Sequence, residues 1–341
     1  CPLDVALVVP VYNEETADVF GNACAMMTAL REARHAHRFH LYILSDTQDA
    51  AIALAERRAY ATLRAALPPD LRVWYRRRLD NSGRKVGNLR QWLETWGGAH
   101  DAMLVLDADS LMSAGAITAL ADEMAADAGA GLIQTAPLVI GSDTLFGRMQ
   151  QFAGAVYGTL LSAGLAAWSG AEGNYWGHNA IIRVEPFMRL CGLRRLKGPG
   201  LFRGPVLSHD FVEAALMGRA GYEVWLEPAI GGSFEESPPT LADDLRRLRR
   251  EVPPGREEER AARSDARNAQ PRRSLPPRRC RPLHRARHAF HPGWRLGQGH
   301  PDQGKPAFEL GAPDDSSEQL PSNRSRKAAV FLCPETPAFP P

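Results

Sequence analysis

The chain has 341 residues, of which 44% are hydrophobic, so it is long enough for one large domain or two ordinary ones with a sizeable core. Its formal net charge of +2 is too small to predict a nucleic-acid partner. The five cysteines are scattered along the chain without metal-ligand spacing, and they indicate reduced thiols facing a cytosol rather than a disulfide framework.

The sequence starts with Cys1-Pro2-Leu3 rather than with an initiator methionine. These residues lead directly into an apolar strand pattern and do not have the features of a signal peptide. We therefore expect a piece cut from a longer protein. No stretch is a convincing transmembrane helix. The best candidate, Phe152–Trp168, lacks charge but is rich in Gly, Ala and Ser and barely reaches the roughly 20 residues that a span needs. It predicts a core helix or a membrane-surface helix.

Residues 3–250 alternate short apolar runs with stretches of helical periodicity, which is typical of an α/β domain with a mostly parallel sheet. The predicted strands are Val5–Val11, His40–Ser45, Leu71–Tyr75, Ala102–Leu106, Gly131–Thr135, Ala180–Val184 and Val224–Glu227. The predicted helices include Glu15–Arg34, Asp49–Leu67 and Ser113–Ala126.

Residues 251–341 differ from the preceding part of the chain. They contain 15 of the 26 prolines and many arginines, and they lack apolar periodicity. Proline fixes φ and removes a hydrogen-bond donor, so such text builds neither helices nor sheet ladders. The composition alone predicts a disordered tail.

Two carboxylates follow the fourth predicted strand. Asp107 and Asp109 come directly after the apolar run Met103-Leu104-Val105-Leu106, and ligands bind at the carboxyl ends of strands in open α/β sheets. One or two carboxylates plus substrate phosphates are the usual way to hold Mg²⁺. Taken alone, an Asp-x-Asp pair is more often a solvated turn.

The first two strands end in the same way. Asn13 and Glu14 follow the first strand and open a helix, whose N-terminus would face a ligand at this edge. The alternative is that Asn13 only caps that helix. Asp46 follows the second strand, where it can accept from a base or ribose, or can be the N-cap of the helix that begins near Asp49.

The remaining candidates have common structural explanations. Lys85 follows the basic cluster 76–78 and suits a phosphate, although such clusters are usually solvated. Asp210 precedes a helical pattern and is either an N-cap or a general base. His178, beside Trp176, can contact a sugar but is more often a packing residue. Glu235 and Glu236 are most simply surface acids.

These clusters occur in one order, each at a strand end or a helix start, and together they resemble a known family. The stretches that carry the resemblance are YILSDT (42–47), YRRR (75–78), VLDADS (105–110), IQTAP (133–137), YWGHNAIIR (175–183) and LSHDFVEAALM (207–217). They resemble the family 2 glycosyltransferases of the GT-A fold, in the processive branch that includes cellulose synthase. Within that branch, the resemblance is greatest to the inner-membrane glucosyltransferases of osmoregulated periplasmic glucan synthesis. It covers residues 3–250.

The resemblance implies a Rossmann-like GT-A domain that transfers glucose from UDP-glucose to a β-glucan acceptor, with inversion, at the cytoplasmic side of the inner membrane. It assigns Asp46 to the uracil or ribose, Asp107 to the sugar nucleotide and Asp109 to a Mg²⁺ or Mn²⁺ ion. Asp210 would be the base, and Lys85 would lie near the nucleotide. Asn13, Glu14 and His178 would complete the substrate site. No oligomeric state is implied.

The chain departs from the family pattern after residue 250. The motif Gln-x-x-Arg-Trp, which contacts the acceptor entrance and the diphosphate in that family, is missing, and so are the flanking transmembrane helices. We hypothesise that residues 251–341 are a frameshifted translation, which would weaken or abolish transfer. The alternative function is a non-catalytic sugar-nucleotide-binding remnant. A dinucleotide-dependent oxidoreductase is disfavoured, because no Gly-x-Gly-x-x-Gly follows the first strand.

Overall fold

The computed structural model describes residues 1–192, 209–238, 240–242 and 244–245. The predicted tail, residues 251–341, lies outside this part of the chain. So does the segment in which the Gln-x-x-Arg-Trp motif was expected. The predicted division of the chain near residue 250 therefore stays a prediction.

The central element is a seven-stranded sheet with the order β3-β2-β1-β4-β8-β6-β9. The strands are β1 (Asp4–Val11), β2 (Arg38–Ser45), β3 (Arg72–Arg77), β4 (Ala102–Val105), β6 (Ala130–Gln134), β8 (Ala180–Arg183) and β9 (Glu223–Leu226). All pairs are parallel except those of β8, which is antiparallel to both β4 and β6. The α/β class and the mostly parallel sheet are confirmed, and each predicted strand lies within two residues of an observed one.

Helices cover both faces of this sheet. They are α1 (Thr16–Glu32), α2 (Ala50–Ala66), α3 (Arg84–Thr95), α4 (Ala114–Ala126), α5 (Leu145–Ala153), α6 (Thr159–Ser169), α7 (Val184–Leu190) and α8 (His209–Arg219). A short 3₁₀ turn, Gly97–Ala99, follows α3, and a π-helical turn, Gly154–Gly158, joins α5 to α6.

The core has two layers because the side chains of each central strand alternate between the faces of the sheet. Leu7 of β1 packs on the face that α1 and α4 cover. Its neighbour Val8 packs on the opposite face, with Trp92 of α3 and Met217 of α8. Burial on both faces explains why the central strands are nearly continuous apolar runs.

A second, three-stranded sheet has the order β5-β10-β7, with β5 at Leu111–Met112, β7 at Leu138–Ile140 and β10 at Ser233–Glu236. The sequence did not reveal these strands, because they have only two to four residues each. Glu236 is exposed, as expected for a surface acid, whereas Glu235 is half-buried in β10.

The helical stretch Leu145–Ser169 lies on the surface of the domain. Its most apolar 18-residue window has a mean hydropathy of 1.2 and is 0% buried, and the whole stretch is long and apolar enough to cross a membrane. It contains the apolar segment that the sequence predicted as a core helix or a membrane-surface helix. The core interpretation is wrong, because large side chains such as Phe152, Leu160 and Trp168 are exposed.

Candidate functional site

A cavity of about 1010 Å³ opens at the carboxyl ends of β1, β2 and β4. Because these strands are parallel neighbours, their following residues meet at one edge of the sheet. Five of the predicted site residues line this cavity together: Glu14, Asp46, Lys85, Asp107 and Asp109. Glu236 of the small sheet also lines it.

Asp46 follows β2 and is buried. Arg78 holds both of its carboxylate oxygens, with Nε 2.6 Å from Oδ1 and Nη2 2.5 Å from Oδ2. The cap interpretation of Asp46 is wrong, because Asp49 caps α2 by accepting from the backbone N–H groups of Ala51 and Ile52. Asp46 therefore faces the cavity as one half of an ion pair.

Glu56 supports the loop after β2, although the sequence did not predict it as a site residue. Its buried carboxylate accepts from the hydroxyls of Ser45 at 2.7 Å, Thr47 at 2.6 Å and Tyr75 at 2.8 Å. Burial and the hydrogen bond to Glu56 raise the pKa of Tyr75 to about 12. A signal was present, because Glu56 shares the buried stripe of α2 with Ala53 and Leu63.

Asn13 connects the ends of β1 and β2. It has a left-handed backbone, with φ of 56°. Its Oδ1 accepts from the backbone N–H groups of Gln48 at 3.1 Å and Asp49 at 3.2 Å, and its own N–H donates to Oγ1 of Thr47 at 3.0 Å. The helix-cap interpretation is wrong, since Glu15 is the N-cap of α1. Asn13 thus shapes the loops and is not among the cavity-lining residues.

The carboxylates around Asp109 make this part of the cavity electronegative. Burial raises the pKa of Glu14, and the negative charges of Asp109 and Asp107 raise it further. A divalent cation would relieve this repulsion, and carboxylate oxygens are the hard ligands that Mg²⁺ and Mn²⁺ take. The donor set therefore fits a divalent cation at Asp109, with Asp107 and Glu14 beside it.

Lys85 bridges the two sides of the site. It lies in the first turn of α3, and its Nζ donates to Oδ1 of Asp107 and, at 2.9 Å, to the carbonyl oxygen of Gly177. The sequence predicted only a basic cluster here and not α3, although Leu89 and Trp92 belong to the buried face of this helix. Packing of that face places the Lys85 ammonium at the cavity.

Asp210 lies in the first turn of α8 and outside the residues that line the cavity. Its carboxylate packs against Gly177, where a Cβ would lie 2.9 Å from Oδ2 and 3.0 Å from Oδ1. Gly177 has φ of 93°, so two constraints favour glycine at this position. The carbonyl oxygen of Gly177 accepts from Lys85, which also donates to Asp107. Gly177 and Lys85 therefore connect Asp210 to Asp107.

His178 is buried rather than at the cavity wall. Its Nε2 lies 3.5 Å from Oε2 of Glu235 in the small sheet. Its Nδ1 is buried without a hydrogen-bond partner among the residues that the structure describes. Its assignment to the substrate site stays a prediction.

Comparison with known proteins identifies the family. Residues 102–252 match the family described as "Glycosyl transferase family group 2". Over 245 residues the chain is 48% identical to glucans biosynthesis glucosyltransferase H of Caulobacter vibrioides (strain NA1000 / CB15N). This match covers 72% of this chain and 37% of that protein. It is 49% identical to the protein of the same name from Shewanella sp. (strain ANA-3), over 72% of this chain and 34% of that protein. The chain thus spans about a third of the length of these relatives.

A solved structure supports the fold. A mannosyltransferase from Pyrobaculum calidifontis, in complex with GDP-Man and Mn²⁺, superposes with a TM-score of 0.51 and 19% identity. The match covers 73% of this chain and 61% of that one. These similarities show that the chain contains a family 2 glycosyltransferase domain with a GT-A fold.

Proposed function

We propose that this domain transfers glucose from UDP-glucose to a growing β-glucan, with inversion, in osmoregulated periplasmic glucan synthesis. One observation carries the proposal: the cavity brings Asp46, Lys85, Asp107 and Asp109 together, and Asp210 joins them through Gly177. The relatives that match most of this chain are named glucans biosynthesis glucosyltransferase H, which supports glucose as the transferred sugar and a glucan as the product.

The nucleotide would bind between Asp46 and Lys85. Asp46, held by Arg78, offers a fixed acceptor for the donors of uracil or ribose. Lys85 supplies a point charge for the diphosphate, and its present partner Asp107 would then be released toward the sugar nucleotide. Glu14 lines the same cavity and would contact the substrate directly. Asn13 would act on the substrate indirectly, because it shapes the loops beside the cavity.

A divalent cation, Mg²⁺ or Mn²⁺, would be held by Asp109, with Asp107 nearby. When bound, it offsets the charge that develops on the departing diphosphate. The chain itself contributes Lys85, whose ammonium stabilises the same charge.

Transfer would proceed by a single in-line displacement. The acceptor hydroxyl oxygen forms a bond to the anomeric carbon as the bond from that carbon to the diphosphate breaks, and UDP leaves with its electron pair. The Asp210 carboxylate accepts the hydroxyl proton as general base. One displacement inverts the α-linked donor into a β-linked product.

We place the protein at the inner membrane with this domain in the cytoplasm, and we expect no nucleic-acid partner. The exposed apolar stretch Leu145–Ser169 supports contact with a membrane. Further spanning helices would belong to the remainder of a longer protein, since the matched residues cover only 37% and 34% of the two relatives. The frameshift hypothesis is tested by resequencing the locus, where an intact frame through residues 251–341 would refute it.

The substitution Asp210→Asn tests the catalytic assignment. We expect turnover of UDP-glucose to fall by about 10²- to 10⁴-fold, the range for a lost general base, while the affinity for UDP stays near normal. Asp70→Asn is the matched control, since Asp70 is exposed and pairs with Arg31 away from the cavity. Wild-type turnover in Asp210→Asn would refute the role of Asp210.

A second function is a sugar-nucleotide-binding module without transferase activity. The observation that favours it is the missing Gln-x-x-Arg-Trp motif. Calorimetric titration with UDP and Mg²⁺, followed by a UDP-release assay with UDP-glucose, separates the two functions. Binding without UDP release supports the module, and release that depends on Asp210 supports the enzyme.

A further inference from the structure

The first turns of α8 place an imidazole between two carboxylates. His209 Nδ1 lies 3.0 Å from Oδ1 of Asp210 and 3.3 Å from Oε1 of Glu213. The side chain of Glu213 is 6% exposed and that of His209 is 12% exposed. His209 and Glu213 are four residues apart on the helix, the spacing at which side chains meet. The function described above uses neither of them.

The charges of this group favour a protonated imidazole. Burial opposes protonation of His209, but the Glu213 carboxylate 3.3 Å away and the negative charge of Asp210 outweigh it, so the pKa of His209 is raised. Burial raises the pKa of Glu213, and His209 opposes that shift, so the carboxylate depends on a partner of opposite charge to stay ionised. Among the described residues, His209 lies within 3.3 Å and can supply that charge.

Other ionisable groups face the same pocket. Lys85 lowers the pKa of His209 by repulsion. Tyr175 and Cys191 are buried, and burial and the nearby acids raise their pKa values, so both are neutral. Asp107 contributes to the shift of Tyr175. Within the described ranges, these neutral neighbours leave His209 and Lys85 as the cations around Asp210 and Glu213.

Asp210 is held on two sides. Gly177 closes one side of its carboxylate. On the other side, Nδ1 of His209 and Oδ1 of Asp210 are both buried, yet neither makes a well-aligned hydrogen bond within the described residues. The imidazole of His209 therefore acts on Asp210 through its charge and its close contact. Glu213, one helical turn further along α8, holds the imidazole by opposite charge.

We propose that His209, anchored on Glu213, is a positioning residue that holds the Asp210 carboxylate against Gly177 in the orientation that accepts the proton of the acceptor hydroxyl. The inference rests on the proposed function, in which Asp210 is the base. It assigns a role to two residues that are not among those lining the cavity.

The test compares His209→Gln and Glu213→Gln with the wild-type chain. Glutamine keeps a hydrogen-bonding group but removes the charge. We expect each variant to lower kcat by about 10- to 100-fold, since small misplacements of a reacting group have effects of that order. The KM for UDP-glucose and the Kd for UDP should change less than about two-fold, and the double variant should lose no more than one single variant, because the two residues act as a unit.

Two readouts separate positioning from a merely structural effect. The wild-type kcat should fall at alkaline pH as His209 loses its proton, and that limb should be absent in His209→Gln. In ¹⁵N NMR, the His209 ring should titrate above its ordinary range in the wild type and lower in Glu213→Gln. Glu185→Gln is the matched control, because Glu185 is exposed on the neighbouring α7.

The outcomes are distinguishable. An active wild type with an unchanged kcat in His209→Gln would overturn the role of His209 and leave the proposed function intact. A loss of kcat that accompanies loss of UDP binding would also overturn it, since that result indicates a general structural effect. A wild-type chain that releases no UDP would overturn both.

Discussion

Arg78 and Asp46 form a buried bidentate ion pair at the base of the cavity, with side chains that are 8% and 3% exposed. Arg78 also donates to the carbonyl oxygens of Ser82 and Arg84, at 3.2 and 3.3 Å. The pair therefore ties the end of β2 to the start of α3, where Lys85 lies. Two parts of the proposed nucleotide site depend on one guanidinium.

We expect Arg78→Ala to lower the free energy of unfolding by about 3–5 kcal/mol, because it leaves a buried carboxylate without its counter-charge. Arg78→Lys should lose less, since it keeps the charge but not the bidentate geometry. Both should weaken UDP binding. Urea denaturation and calorimetry measure these effects. Arg90→Ala, which breaks an exposed pair with Glu94, should stay within about 1 kcal/mol of the wild type.

The Glu56 carboxylate accepts from three hydroxyls, and this predicts the effect of Glu56→Gln. One carboxylate oxygen of Glu56 would be replaced by an NH₂ group that cannot accept, so at least one of the three hydroxyls must lose its acceptor. We expect a loss of about 1–3 kcal/mol in unfolding free energy and weaker UDP binding. The pKa of Tyr75, measured by ultraviolet titration, should fall from about 12.

The control for Glu56→Gln is Glu32→Gln, at an exposed position near the end of α1. It should leave both unfolding and UDP binding unchanged. A Glu56→Gln protein with wild-type stability and an unshifted Tyr75 would show that this carboxylate does not organise the loop.

Gly177→Ala should displace Asp210. The new Cβ would lie about 3 Å from the Asp210 carboxylate, and φ of 93° is strained for alanine. We expect a loss of about 1–3 kcal/mol in stability from the strain and a marked loss of kcat. Gly218→Ala in α8 is the control, since nothing lies within 4 Å of its Cβ position. Unaltered kcat in Gly177→Ala would contradict the placement of the base.

Stability should depend on pH through His40, at the amino end of the sheet. Burial lowers the pKa of His40, and the positive charges of His100 and Arg72 lower it further. The Asp4 carboxylate, with Oδ2 3.2 Å from Nε2 of His40, raises this pKa in part. Between the lower folded pKa and 6.5, His40 binds a proton in the unfolded chain but not in the folded chain. The free energy of unfolding should therefore fall as the pH decreases from 6.5 toward the lower folded pKa.

Urea denaturation at pH 8, 6.5 and 5.5 measures this dependence. His40→Gln should show a smaller loss between pH 6.5 and 5.5 than the wild type, because its side chain does not titrate. Asp4 affects stability only at lower pH. Burial raises the pKa of Asp4, but His100 and His40 lower it more, so the net shift is downward. Its contribution to the free energy of unfolding is therefore lost only near and below the unfolded value of 3.8. Equal slopes for wild type and His40→Gln would contradict the assignment.

The sequence by itself determined the framework and most of the cavity wall. The apolar runs of β1, β2 and β4 are local signals, and parallel pairing brings their carboxyl ends together, so Asp46, Asp107 and Asp109 were predicted at one edge. The polar helix α3 and the short β10 gave weaker local signals. Their formation depends on packing against distant parts of the chain.

Only the tertiary structure decided how the site is held together. Arg78 pairs with Asp46 across 32 positions, and Lys85 reaches Gly177 across 92. No periodicity predicts such pairs, because they depend on where separate loops meet. The placement of Asp210 behind Gly177, outside the cavity wall, is likewise a product of how α8 packs on the sheet. Residue types are local information, whereas charge pairing and burial are properties of the assembled fold.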